Sequence, residues 1–351
     1  MKRIIVPTGY MGSGSSAITD LVSEFENCQN EYKSYEYVMM HCPNGVFDLE
    51  DKLLVGNNAL RSDEAIRSFE LQMQKLYNKK FWWVGNYKKI ISPNFMNITN
   101  AYISRIQEFN FQGYWYTHEE LNSSMFLKLL IRKPLKIFFG NKIKFKKILK
   151  YSDGMRISYI KPDKFYHETH EYIYKLIEEI SQGKENIILD QFLLPYNLFR
   201  VDNYFDDSLK VIVVERDPRD VFIINKYIWQ EKQICVPFPL DVYEFCEFYQ
   251  KMRESEKQCT SNKVLRVKFE DLIYNYDKEL QKITKFLNFS SSEHINKKTR
   301  FNPEISIKNT QLFRKEEYQE ESKIIEEKLK KYLYNFPYEI NNDVKKTVEF
   351  E

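Results

Sequence analysis

Between the apolar run Ile4, Ile5, Val6 and the start of a helical pattern lies VPTGYMGSGSSAITD, residues 6–20, and this glycine-rich strand-to-helix turn constrains the chain more than any other feature. Such a turn lets consecutive backbone N–H groups converge on an anion, and the N-terminus of the following helix adds its partial positive charge. A phosphate site at the end of a first, buried strand is the expectation. The residues Gly9 to Ser16 fit the outer frame G-x-x-x-x-G of a nucleotide-binding loop, but Ser15 stands where the lysine that reaches the phosphates belongs. An ordinary ATPase or GTPase is therefore disfavoured.

Further apolar runs at Ile187–Leu189, Val211–Val214 and Val264–Val267 read as buried parallel strands, each followed by polar or turn residues and then a helical pattern. The alternation predicts an α/β fold with a central parallel sheet of P-loop type, flanked by helices, whose ligands bind beyond the carboxyl ends of the strands. Roughly 180 residues with little strand character separate the first two runs, far too many for one crossover loop. Residues 22–185 are accordingly expected to form a large, mostly helical insertion inside a single domain spanning 1–351. Within it, Ser62-Asp63-Glu64 predicts a helix start, with Ala65, Phe69, Met73 and Leu76 behind it. The aromatic stretches Phe81–Tyr87 and Phe109–Tyr116, which hold Trp82, Trp83 and Trp115, read as core, with stacking on sugar rings or bases as the other use of such residues.

From Ile131 to Lys150 the chain carries Arg132, Lys133, Lys136, Lys142, Lys144, Lys146, Lys147 and Lys150 with no acidic residue, interleaved with apolar ones. Such a segment either attracts an anionic polymer or makes peripheral contact with an anionic membrane, or it is a solvated amphipathic face. A net charge of +3 over 351 residues is too small to imply a nucleic-acid surface, so any electropositive site must be local. Cys28, Cys42, Cys235, Cys246 and Cys259 are scattered without C-x-x-C spacing, which suggests reduced thiols. Met1-Lys2-Arg3 runs directly into a strand, and no apolar run reaches the about 18 residues of a membrane span. A soluble, cytoplasmic protein is expected. Nothing in the sequence sets an oligomeric state.

The second anion signal is VIVVERDPRDVFIIN, residues 211–225, a strand that ends in Arg216-Asp217-Pro218-Arg219-Asp220 before a helix. An arginine at a strand's carboxyl end suits phosphate because its planar fork gives two parallel charge-assisted hydrogen bonds. A structural salt-bridge cluster is the competing use of the same residues. A third element, Val264–Leu287, delivers Phe269-Glu270-Asp271-Leu272 from a strand into a helix that carries Leu280, Ile283 and Phe286.

A glycine-rich turn, R-D-P-R-D and F-E-D-L, in that order, resemble the sulfotransferases that use 3′-phosphoadenosine 5′-phosphosulfate (PAPS). The resemblance covers residues 1–20 and 186–315. It implies that Gly9, Gly12, Ser13, Gly14, Ser15 and Ser16 hold the 5′-phosphosulfate, and that Arg216 binds the 3′-phosphate. The family's serine eight residues after that arginine is Ile224 here, and neighbouring Asn225 is expected to substitute as hydrogen-bond donor. The family's basic residue in the first turn is Gly12 here, which removes a cation from the departing phosphate and costs several kcal/mol unless another group replaces it. Lys226, Lys308 and Arg314 are the candidates, the last two in ISIKNTQLFRK, residues 305–315, which is similar to the family's loop over the nucleotide. Asp190-Gln191, Pro195 and Asn197 match a family stretch at the edge of the site, although Asp190 also suits a helix cap.

Transfer to a hydroxyl needs a general base, a histidine or a carboxylate. In YEYVMMHCPNGVFDLE, residues 35–50, Glu36 is the first candidate and His41 the second, with His118 a third. His167-Glu168-Thr169-His170 is one residue short of the H-E-x-x-H zinc spacing, so no metal is expected. The resemblance implies a sulfotransferase whose acceptor, preferentially a carbohydrate and including anionic ones, meets the aromatic and basic insertion. Two rivals remain: a P-loop phosphotransferase, for which Asp190 is the only magnesium-binding candidate, and a non-catalytic nucleotide- or glycan-binding protein that has lost the cation at Gly12.

Overall fold

Alternation of buried side chains along the apolar runs produces a sheet sandwiched between two cores. The computed structural model describes residues 2–29, 35–81, 84–113, 153–230 and 238–339, together with residues 130, 131, 134, 137, 138 and 236. The strands in chain order are β1 (Arg3–Gly9), β2 (Cys28–Gln29), β3 (Lys80–Phe81), β4 (Val84–Gly85), β5 (Phe109–Gly113), β6 (Asp153–Ile157), β7 (Asn186–Ile188), β8 (Leu209–Glu215) and β9 (Val264–Lys268). The main sheet is five-stranded in the order β2-β7-β1-β8-β9, and every neighbouring pair is parallel. β1 is central, with Ile4 opposite Ile187 on one side and Leu209 on the other. The four expected strands are all present. The fifth, β2, has two residues and no apolar run, so it leaves no periodic signal.

Ile4, Val6, Val211 and Val213 point to one face, where they join the insertion's Met39, Phe69, Tyr102, Phe165 and Tyr172. Ile5, Ile212, Val214 and Val267 point to the other, against Ile18, Leu21, Leu272, Ile283 and Leu287. This two-faced burial is why the strands read as continuous apolar runs rather than alternating ones. Between β2 and β7 lie the helices Val46–Leu54, Ala59–Asn78, Tyr87–Ile90, Phe95–Ile106 and Pro162–Ser181, with the antiparallel ribbons β3-β4 and β5-β6.

The second of these helices begins earlier than its sequence pattern indicates. Asn58 caps it, accepting the Arg61 N–H at 2.9 Å, and Ser62 and Asp63 are buried inside it. Their side chains accept the Ser158 and Arg156 N–H groups at 3.0 and 2.8 Å, so the S-D-E triplet ties β6 to the helix instead of starting it. On β5, Phe109 and Phe111 are exposed rather than core. Trp82, Trp83, Trp115, His118 and all eight basic residues of the 131–150 segment lie outside the described residues. His170 Nδ1 donates to the Tyr204 carbonyl (2.9 Å), and the ring stacks on Tyr174. Among the described residues no helix is long and apolar enough to cross a membrane, and no group of three or more His, Cys, Asp or Glu could hold a metal ion.

Candidate active site

β1 has β7 on one side and β8 on the other, so chain connections leave it in both directions, the arrangement in which open α/β sheets place ligands beyond the carboxyl end. The glycine-rich turn lies at that end. Gly12 and Gly14 adopt φ of +81° and +84°, a conformation that side chains strongly disfavour. At Gly9 a Cβ would stand 2.2 Å from Ser13 Oγ and 2.7 Å from the Val214 carbonyl, so the turn closes only on glycine. The helix that follows, Ser16–Val22, has just two turns, and its N-cap Ser15 makes no side-chain cap. The cradle is therefore a property of the turn's own N–H groups more than of a long helix dipole. Ser13 is buried with an Oγ that has no partner among the described residues, Ser16 is exposed, and Ser15 Oγ accepts Gln191 Nε2 at 3.0 Å.

Arg216, at the end of β8, is 3% exposed. Its guanidinium lies 4.5 Å over the Phe269 ring and donates to the carbonyls of Gly12 (3.2 Å) and Asn309, while Nε has no partner among the described residues. Burial lowers its pKa, and the nearby Asp220, Glu270 and Asp217 oppose that shift. Those carboxylates are occupied elsewhere. Asp217 holds Arg219 through two side-chain bonds of 3.0 and 2.8 Å and accepts the Tyr334 N–H. Asp220 accepts the N–H groups of Gln311 and Leu312 at 2.9 and 2.8 Å, and Glu270 accepts that of Asp217 at 2.8 Å. The R-D-P-R-D run thus divides its labour: Asp217, Arg219 and Asp220 are structural, and Arg216 is the arginine left facing the turn.

Phe269 is a residue that sequence reasoning quoted within F-E-D-L but gave no role. Its ring is wedged between Arg216 and the turn, since a Cβ on Gly14 would lie 2.7 Å from it. Gly14 is the sequence signal, but the partner that enforces it comes from 255 residues away and has no local signature.

Asn225 is buried against Gly12, with Nδ2 donating to the Val221 carbonyl at 2.8 Å and Oδ1 without a partner among the described residues. Of the three cation candidates, Lys226 is paired with Glu321 at 2.6 Å, and Arg314 with Glu339 at 3.0 Å and Gln311 at 2.6 Å. Lys308 is exposed on the turn Ile307–Asn309, beside the carbonyl that Arg216 grips, and forms no ion pair among the described residues.

Glu36 and His41 are brought to the same edge through β7. The Tyr37 N–H donates to the Asp190 carbonyl at 2.9 Å, and His41 Nε2 donates to the Gln191 carbonyl at 2.8 Å. Burial lowers the His41 pKa, so its ring is neutral with Nε2 committed as donor. Asp190 accepts Thr19 Oγ1 at 3.0 Å and leaves Oδ1 unpartnered. Burial pushes its carboxyl up to about 7, and the charges of Glu36 and Asp20 push the same way. Gln191, with φ +55°, links Thr8 Oγ1 (3.0 Å), Ser15 and His41 into one network. Asp190 is thus no helix cap: it and Gln191 join the phosphate turn to the segment that carries Glu36.

Taken together, buried Ser13 Oγ and Arg216 Nε are donors without acceptors on either side of a glycine cradle. Such a set fits a phosphorylated ligand. The sequence matches the family described as sulfotransferase domain over residues 4–349. No curated protein matches the chain significantly. Among solved structures, the sulfotransferase domain from the curacin biosynthetic pathway is similar, with 12% identity, coverage of 86% of this chain and 79% of that one, and a TM-score of 0.38. A family match over nearly the whole length means that the chain belongs to the sulfotransferase domain family and is a sulfuryl-transferring enzyme.

Proposed function

We propose that the donor is PAPS and the acceptor a hydroxyl or amino group, preferentially on a carbohydrate. The observation that supports the donor is the buried Arg216 guanidinium, held by two neutral carbonyls with Nε left over, a short step from the orphaned Ser13 hydroxyl. One end of a nucleotide with two separated anionic groups would lie on the turn from Gly9 to Ser16, and its 3′-phosphate would take Arg216. In the transfer itself the acceptor oxygen attacks sulfur in line, the bond from sulfur to the bridging oxygen breaks, and negative charge develops on the departing 5′-phosphate. Glu36 takes the acceptor's proton. His41 is less suited, because its Nε2 hydrogen is already donated to Gln191 and burial keeps the ring a weak base. Lys308 is the candidate cation not already tied to a carboxylate among the described residues, on a loop that Asp220 and Arg216 hold against the turn. The carbohydrate preference rests on the aromatic and basic composition of residues 109–150.

Calorimetric titration with adenosine 3′,5′-bisphosphate beside magnesium ATP tests this reading. Binding of the bisphosphate alone, lost in Arg216→Ala and kept in Glu36→Gln, is the expected result, with labelled-sulfate transfer abolished in Glu36→Gln. Preference for magnesium ATP would favour the phosphotransferase reading, in which Asp190 beside Ser15 and Thr19 would serve the metal.

A further inference from the structure

Asn225 stands nine residues after Arg216, inside the helical stretch that passes from Pro218–Ile223 into a π-helical segment at Ile224–Trp229. The residue is 1% exposed, one carboxamide N–H is used by the Val221 carbonyl, and the other has no acceptor among the described residues. A Cβ on Gly12 would lie 2.9 Å from Asn225 Nδ2 and 3.4 Å from Val221 Cγ1. The amide therefore fills the space that any side chain at position 12 would enter. Arg216 approaches the same residue through the Gly12 carbonyl, and its other hydrogen-bonding arm turns away to Asn309. Asn225 thus faces the phosphate turn itself, whereas Arg216 spans from the turn toward the loop at 307–309.

Resting on the PAPS reading above, we propose that Asn225 binds the 5′-phosphosulfate end of the donor, its remaining N–H donating to the phosphate oxygen in place of the side chain that residue 12 lacks. Gly12 and Asn225 are then one device. The glycine is required because the amide is there, and the amide supplies a fixed, dry donor where charge develops on the leaving group. This differs from the 3′-phosphate role expected from its sequence position beside Ile224.

Competition calorimetry with adenosine 3′,5′-bisphosphate, 5′-AMP and 3′-AMP separates the two assignments. Asn225→Ala is expected to weaken the bisphosphate and 5′-AMP by about 10–100-fold and to leave 3′-AMP within about twofold, as for loss of one hydrogen bond to a charged group. Asn225→Ser keeps a small donor and checks that the variants fold; it should show the same selectivity with a smaller loss. In thermal melts, Gly12→Ala should lower Tm more in the wild-type background than beside Asn225→Ala, because only the wild type holds the amide in the way. A loss confined to the bisphosphate and 3′-AMP, or strictly additive Tm changes, would overturn the inference while leaving the donor reading intact. A wild-type protein that binds none of the three nucleotides would overturn both.

Discussion

Glu270 has no solvent exposure, one oxygen bonded to the Asp217 N–H and the other without a partner. Burial pushes its carboxyl up to about 8. Because the folded protein keeps this proton after the unfolded chain has released it, Glu270 subtracts stability progressively from the unfolded pKa, near 4.3, up to about 8, and the loss is constant above that. Glu270→Gln keeps an acceptor for the N–H and removes the ionisation. Its advantage over wild type in urea melts should be absent near pH 4 and grow to a few kcal/mol by pH 8. A constant difference across that range would mean that Glu270 is already charged in the fold. Gly14→Ala places a methyl group 2.7 Å from Phe269 at φ +84° and should cost at least about 1–2 kcal/mol, measured by denaturant unfolding. Relief of part of that loss by Phe269→Ala would identify the ring as the obstacle. At this scale the sequence was readable for the glycines of the turn, whose positive φ only glycine adopts freely, and for the place of Arg216 at the end of β8 beside that turn. It was opaque where burial decides, as with Asp190, whose carboxyl is shaped by Thr19, Asp20 and Glu36 from distant parts of the chain.

Elements are joined, at the site and elsewhere, by carboxylates that grip backbone N–H groups. Asp220 does so for Gln311 and Leu312, and buried Glu24 for Lys298, Arg300 and Phe301 while also bonding His294. Asp220→Ala should release the 303–315 loop. Amide exchange at Gln311 and Leu312 should quicken by an order of magnitude or more, with weaker bisphosphate binding because the Asn309 carbonyl no longer positions Arg216. Unchanged exchange would show that Tyr274, which bonds Thr310 at 2.6 Å and Gln311 at 3.0 Å, holds the loop by itself. Four of the five strands of the main sheet were legible because burial within the sheet writes a plain apolar run, which two-residue β2 does not have. The start of the helix Ala59–Asn78 was not, since Ser62 and Asp63 have the composition of a cap but are used for contacts with β6, and only the tertiary arrangement reveals the exchange.

Across the whole molecule, the proposed donor site is built from residues that also hold the fold together, which would link nucleotide binding to stability. Adenosine 3′,5′-bisphosphate at about 100 times its dissociation constant should add about 2.7 kcal/mol to wild-type stability. On a chain this long that is a rise of a few degrees in Tm, absent in Arg216→Ala. Order of motifs along the chain was enough to expect the α/β architecture, whereas the stretch between β2 and β7, without motifs, left little to read. The central place of β1 has one more consequence, for synthesis on the ribosome. Residues 3–9 are made well before their partners, residues 186–188 and 209–214. At translation rates of about 5–20 residues per second, the central strand of the sheet waits on the order of 10–40 s for either neighbour. A nascent chain stalled before residue 186 holds an unsatisfied strand on both edges, and that interval is when a chaperone that shields extended apolar segments has the most to protect.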